Sequence, residues 1–153
     1  MHYPYPSQRI NEIVKAQKCV REGETFEVTT KGEHGAKFDV NLDLVDDGPF
    51  SDPRYLGGTH DVASPETYKA NLLLGSQKVR GVDYHATGQR RWFNQRIPAG
   101  WHQDIRDPNL PTTDDNHHRR VPLNNFTPTD FKDFVGKTAA LWNIDLAWEE
   151  SML

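Results

Sequence analysis

The strongest alternation of apolar and polar side chains in this sequence runs through residues 36–45. The apolar side chains on one side are Phe38, Val40, Leu42 and Leu44, and the polar ones on the other are Asp39, Asn41 and Asp43. Successive side chains of a strand point to opposite faces, so the pattern predicts a strand with one buried and one wet face. Residues 25–30 alternate similarly, and residues 31–35 supply turn residues. The two segments are therefore predicted to form a β-hairpin.

The chain beyond the hairpin predicts further strands separated by irregular segments. Residues 46–61 are rich in Gly, Pro and Asp and are predicted to form a long loop. Residues 64–74 fit either a short helix or a strand, and the sequence leaves both open. Strands are predicted over residues 79–85, 100–106 and 121–123, the last an edge strand because it contains a proline.

Two segments have helical spacing of their apolar residues. The first predicts a helix over residues 8–21 that ends near Gly23. The second predicts a helix that begins at the capping sequence around Thr127. The second carries an apolar stripe of Phe131, Phe134, Val135, Thr138, Ala139 and Trp142. The chain is therefore predicted to be a single α+β domain over residues 1–153. In it, a mostly antiparallel sheet of four to five strands packs against an N-terminal and a C-terminal helix.

Composition narrows the setting in which the protein acts. The chain of 153 residues has one cysteine, Cys19, which fits a reducing, cytoplasmic location. It has no long apolar run, so neither a membrane span nor a membrane partner is expected. The net charge of −4 argues against a protein that coats nucleic acid non-specifically.

Charge is distributed unevenly along the chain. Residues 78–120 contain eight Lys or Arg against five Asp, a net charge of +3, which leaves −7 for the rest of the chain. The same segment holds four of the seven histidines. A basic, His-rich segment inside an acidic chain suggests an anion site, with RNA as one ligand. No complete catalytic motif accompanies it.

Strand alternation groups the polar residues of this segment. It places His102, Asp104 and Arg106 on one face of the strand 100–106, and Asp83 and His85 on one face of the strand 79–85. If the strands are neighbours, one sheet face carries all five side chains. The catalytic residues are predicted to be His85 and His102 for proton transfer and Arg106 for phosphate.

Two other interpretations of this face remain open. His-x-Asp with a second His is an acceptable metal-ligand set, although neither a metal nor another cofactor is expected. The polar residues are also consistent with a solvated sheet face that has no function.

Two clusters are predicted to bind RNA or phosphate. One is a basic pair beside an aromatic residue, Arg90, Arg91 and Trp92, and the other is His117, His118, Arg119 and Arg120 in a loop predicted over residues 107–120. Cations next to aromatic rings suit backbone neutralisation and base stacking. A core plug formed by Trp92 and Phe93, and a merely solvated loop, are the alternatives.

Several short motifs carry a resemblance to a known family over about residues 25–145. They are 79–83 (VRGVD), 94–104 (NQRIPAGWHQD), Pro122-Leu123 with Phe126, and 142–144 (WNI). Their layout resembles small bacterial and phage-borne domains of unknown function found beside toxin–antitoxin genes, which are similar to RelE-like and TumE-like toxins. The His-x-His of that family becomes His102-Gln103-Asp104 here, and the loop over residues 107–120 is longer and more basic. The function of that pair is then either lost here or supplied by His117 or His118.

The resemblance implies an RNA-directed toxin-like protein of a bacterial or phage toxin–antitoxin system, with a cognate antitoxin or other protein as partner. A metal-independent endoribonuclease is the specific expectation. The alternative is a non-enzymatic module that binds a host or regulator protein through Trp92, Phe93 and Trp101. A phage structural component is a third hypothesis.

Overall fold

The structure is a computed structural model that describes residues 7–86, 89–90, 96–97, 99–106 and 118–148. The helices are α1 (Ser7–Lys15) and α2 (Phe131–Leu141), with a 3₁₀ turn at Pro65–Thr67. The strands are β1 (Lys18–Val20), β2 (Thr29–Lys31), β3 (Gly35–Leu44), β4 (Pro53–Thr59), β5 (Lys69–Leu74), β6 (Gln77–His85), β7 (Gln89–Arg90), β8 (Arg96–Ile97), β9 (Gly100–Arg106), β10 (His118–Pro122) and β11 (Ile144–Asp145).

Most of these strands belong to one large sheet. Within the described ranges it has nine strands in the order β10-β9-β6-β5-β4-β3-β1-β11, with β2 also paired to β3. The pair β1–β11 is parallel, and the other pairs are antiparallel. The predicted fold class, a sheet of four to five strands on two helices, is therefore wrong. The described part of the chain is mostly a large mixed sheet with two short helices.

The additional strands come from segments whose local sequence suggested something else. The helix predicted over residues 8–21 ends at Lys15, and residues 18–20 form β1 between β3 and β11. The loop predicted over 46–61 contains β4. Gly57 in β4 lies so close to β5 that a Cβ atom would stand 2.2 Å from the carbonyl oxygen of Lys69. The glycines that suggested a loop are thus needed for close strand packing.

Other predicted elements are present in the structure. Residues 69–74 are the strand β5, which settles the choice left open for 64–74. The strands predicted over residues 79–85 and 100–106 are β6 and β9, and β10 is the edge strand that contains Pro122. Part of the loop predicted over 107–120 belongs to β10, and residues 107–117 lie outside the described residues. Neither described helix has the length and apolarity needed to cross a bilayer.

The helices and one face of the sheet share a single apolar cluster. It includes Ile10 and Ile13 of α1 and the predicted α2 stripe. Polar contacts tie α2 and the residue that follows it to the strands. The Tyr55 hydroxyl donates to the carbonyl oxygen of Val135 at 2.9 Å, and the Trp142 indole donates to Gln103 Oε1 at 2.9 Å. The helices therefore pack on the face to which Gln103 points.

The helix α2 contains a glycine that has no packing role. Gly136 lies in a helical conformation, and a Cβ atom added there meets no heavy atom within 4 Å. Gly136→Ala is expected to raise the free energy of unfolding by about 0.5–1 kcal/mol, because alanine loses less backbone entropy in a helix. Urea denaturation tests this, and an unchanged or lower stability would contradict it. Gly75→Ala, at a φ of +61°, is the control and should destabilise the fold.

Candidate functional site

The register of β6 and β9 brings the predicted polar residues together. Asp83 lies directly opposite His102, and His85 lies two residues further along the same face of β6. His102 Nε2 is 2.6 Å from Asp83 Oδ1, and His85 Nε2 is 4.0 Å from Asp83 Oδ2. We call Asp83, His85, His102 and Asp104 the polar cluster. It lies on the sheet face opposite the two helices.

The two imidazole rings of the polar cluster stack on each other. Their centroids are 4.9 Å apart, and the ring planes make an angle of 22°. The His102 side chain is 1% exposed, whereas those of His85 and Asp83 are each 24% exposed. Only His85 and Asp83 are therefore accessible to a ligand from solvent, with His102 as the buried base of the cluster.

Asp104 is the second buried member of the cluster and is surrounded by positive groups. Its Oδ2 accepts a hydrogen bond from Lys78 Nζ at 2.9 Å. Its Oδ1 lies 3.3 Å from Arg120 Nε and 3.3 Å from His102 Nε2. Burial by itself would raise the pKa of Asp104. The contacts with His102, Lys78 and Arg120 outweigh burial and hold this pKa well below its usual range. Asp104 is thus a carboxylate at neutral pH.

The two histidines have pKa shifts in opposite directions. Burial lowers the pKa of His102, but its contacts with Asp104 and Asp83 outweigh burial and raise the pKa to about 9. Burial lowers the pKa of His85, and the attraction of Asp83 offsets this only in part. With no ion bound, His102 is therefore the protonated imidazole and His85 the neutral one at neutral pH.

Lys78 reaches Asp104 because β6 is irregular. Leu72 pairs with Arg80 and Leu73 with Lys78, so Val79 is an extra residue in β6. Arg80, two residues after Lys78, lies on the helix face and donates to Asn11 Oδ1 of α1 at 2.6 Å. Gly81 leaves room for the lysine, since a Cβ atom there would stand 2.6 Å from Lys78 Cε. Lys78 is not among the predicted site residues, because simple alternation groups it with Arg80.

The strand β10 adds His118 and Arg120 to the same face. Its register places His118 opposite Arg106 and Arg120 opposite Asp104. His118 is buried, its Nε2 lies 3.2 Å from the carbonyl oxygen of Lys78, and its own carbonyl accepts a hydrogen bond from Arg120. His85, His102, Arg106, His118 and Arg120, all predicted site residues, therefore share one sheet face.

The other predicted residues are placed differently. Arg119 lies on the opposite face of β10, where its charge acts on Arg80. Burial, together with this charge, lowers the pKa of Arg80 to about 10. Trp101, a predicted interface anchor, packs against Phe126 and Phe134 of the core at centroid distances of 5.2 and 5.5 Å. Arg90 belongs to β7, and Arg91, Trp92, Phe93 and His117 lie outside the described residues.

The burial of two residues in the polar cluster is inconsistent with the alternative of a merely solvated sheet face. His102 and Asp104 are 1% and 5% exposed. Burying an imidazole and a carboxylate is costly, and perturbed ionisable groups of this kind concentrate at functional sites. The polar cluster is therefore the candidate functional site. No protein-family model, curated protein or solved structure matches this chain.

Proposed function

We propose that this protein is an RNA-directed, toxin-like protein that cleaves the RNA backbone at the polar cluster. The observation that carries the proposal is the accessible pair Asp83 and His85 above a buried His102, with cations on the same sheet face. Phosphodiester cleavage needs a group that handles the proton of the attacking hydroxyl and cations beside the charged phosphate.

The charge of this face favours an anionic substrate. The three cationic side chains Lys78, Arg106 and Arg120 outnumber the carboxylates of Asp83 and Asp104, although the whole chain has a net charge of −4. A local positive field attracts phosphate and screens with salt. RNA suits such a site because its 2′-hydroxyl supplies the nucleophile. That hydroxyl loses its proton and attacks phosphorus, and the 5′ oxygen leaves with a proton, which gives a 2′,3′-cyclic phosphate and a 5′-hydroxyl.

The roles predicted for the two histidines separate in this geometry. His85 is exposed enough to approach an RNA, and the proposal places it at the substrate. His102 is too deeply buried to touch RNA and acts through its contacts with Asp83 and Asp104, which makes it a positioning residue. Arg106 is proposed to face the phosphate.

His85→Ala is expected to slow RNA cleavage about a hundredfold, the loss typical of a missing proton-transfer or positioning group at a reaction centre. The measurement is gel analysis of a structured RNA incubated with purified protein, once with a chelator and once with added Zn²⁺ or Mn²⁺. His60→Ala is the matched control, because His60 is exposed and lies outside the cluster. The proposal fails if wild type cleaves no RNA in either buffer, or if the His85 variant cleaves as fast as wild type.

A further inference from the structure

Three members of the polar cluster present donor atoms toward one another. Asp83, His85 and His102 each offer one ligand atom, and these atoms all lie within 4.8 Å of one another. They come from two hydrogen-bonded strands in fixed register, so the sheet itself holds the arrangement. Sites held by regular elements are more precise than sites on loops.

Two carboxylate oxygens beside His102 accept no ordinary hydrogen bond from the described residues. Asp83 Oδ1 and His102 Nε2 are 2.6 Å apart, yet within the described part of the chain Asp83 Oδ1 accepts no hydrogen bond of normal geometry. Asp104 Oδ1, which is also buried, accepts none either. Buried polar atoms are nearly always hydrogen-bonded, so each such atom calls for another partner. A cation bound by the Asp83 carboxylate and the His102 imidazole would give Asp83 Oδ1 the partner that it lacks.

We propose that Asp83, His85 and His102 bind one divalent transition-metal ion of the Zn²⁺, Mn²⁺ or Fe²⁺ class. Two imidazoles with one carboxylate are typical ligands of these ions, whereas Ca²⁺ and Mg²⁺ prefer oxygen ligands alone. Three protein ligands leave coordination positions for water or substrate. His102 closes the buried side of the site, and the partial exposure of Asp83 and His85 leaves the other side open.

Asp104 lies beside this site without being one of its ligands. Lys78 and Arg120 already neutralise its carboxylate, and its Oδ1 lies 3.3 Å from His102 Nε2. A role of the ion as cofactor of RNA cleavage rests on the proposed function, in which it would supply an acidic water and a Lewis acid. The binding site itself does not depend on that function. It departs from the expectation of a metal-independent protein.

The test is calorimetric titration of Zn²⁺ into the full chain, produced without a histidine tag and stripped with a chelator. Wild type is expected to bind one equivalent. His85→Ala and Asp83→Asn change partly exposed positions, so both variants should fold. Each should bind Zn²⁺ at least about a hundredfold more weakly than wild type. His34→Ala, at an exposed position outside the cluster, should bind as wild type does. Visible absorption of bound Co²⁺ reports the ligand set independently.

Two results would overturn the inference: wild type that binds no Zn²⁺ or Co²⁺, or a His85 variant that binds them unchanged. Circular dichroism of each variant shows whether a loss of binding reflects a loss of fold. The two proposals fail separately. An ion that binds as expected without RNA cleavage sinks only the proposed function, and RNA cleavage in chelator by a protein that binds no ion sinks only the metal site.

Discussion

Asp104→Ala is expected to lower the free energy of unfolding by about 3–5 kcal/mol, the cost of leaving buried charges without their partner. The Asp104 side chain is 7% exposed and contacts Lys78, His102 and Arg120. Its removal takes a carboxylate partner from Arg120 and from His102, whose side chains are only 11% and 1% exposed. Lys78 is 37% exposed and can turn to solvent, so most of the loss comes from the other two.

The matched control is Asp39→Ala in the same sheet. Asp39 accepts a hydrogen bond from Arg54 at 2.7 Å, but this ion pair is 42% and 49% exposed, so its loss should cost less than about 1 kcal/mol. Asp104→Asn separates the effect of charge from that of side-chain volume. It keeps the volume but removes the negative charge that balances Lys78 and Arg120. Urea denaturation at one pH and ionic strength measures all three. Equal losses for the Asp104 and Asp39 variants would show that the Asp104 contacts contribute no more than a surface ion pair.

The part of the site that sequence predicted depends on the period of a strand. Alternation within β9 separates His102 and Asp104 from Trp101 and Gln103, and the structure places these pairs on opposite faces. The period of two follows from backbone geometry alone, so it needs no knowledge of the fold. That the two strands are neighbours was a hypothesis, and their register confirms it.

The remaining features depend on contacts distant in sequence. The extra residue Val79 directs Lys78 toward Asp104, and no local pattern marks such a bulge. The strand β1 forms from residues that continue a helical pattern, because pairing with β3 and β11 outweighs that local preference. Short strands of this kind carry too few residues to show a period, which is why the predicted sheet had too few strands.

A buried lysine at the start of β1 joins the ends of both helices. Lys18 is 0% exposed, and its Nζ donates to the carbonyl oxygens of Val14 and Ala16 at 2.7 and 2.8 Å, at the end of α1. It also donates to the carbonyl oxygen of Trp142, just past α2, at 2.8 Å. The last carbonyls of a helix have no partner within the helix, so Lys18 supplies one for each helix end.

Lys18→Met is expected to lower the free energy of unfolding by about 3 kcal/mol, because it keeps an apolar side chain of similar length but leaves three carbonyls without a donor. Lys37→Met is the matched control, since Lys37 is an exposed residue of β3 and its replacement should change stability by less than about 0.5 kcal/mol. Urea denaturation at neutral pH compares the two variants with wild type. Equal stability of both variants would show that water replaces the lysine at no cost.

The pH dependence of the same pair of proteins tests the charge state of Lys18. Burial, and then the charge of Arg80, lower the pKa of Lys18 to about 7 in the folded protein, whereas an unfolded lysine has a pKa of about 10.4. Between these values the unfolded chain holds a proton that the folded chain has released, so the contribution of Lys18 to stability rises with pH. The stability difference between wild type and Lys18→Met should therefore widen from about pH 7 toward pH 10, by at most about 1.4 kcal/mol per pH unit. Denaturation curves of both proteins across this range measure the slope, and a constant difference would mean that the three carbonyls keep Lys18 protonated throughout.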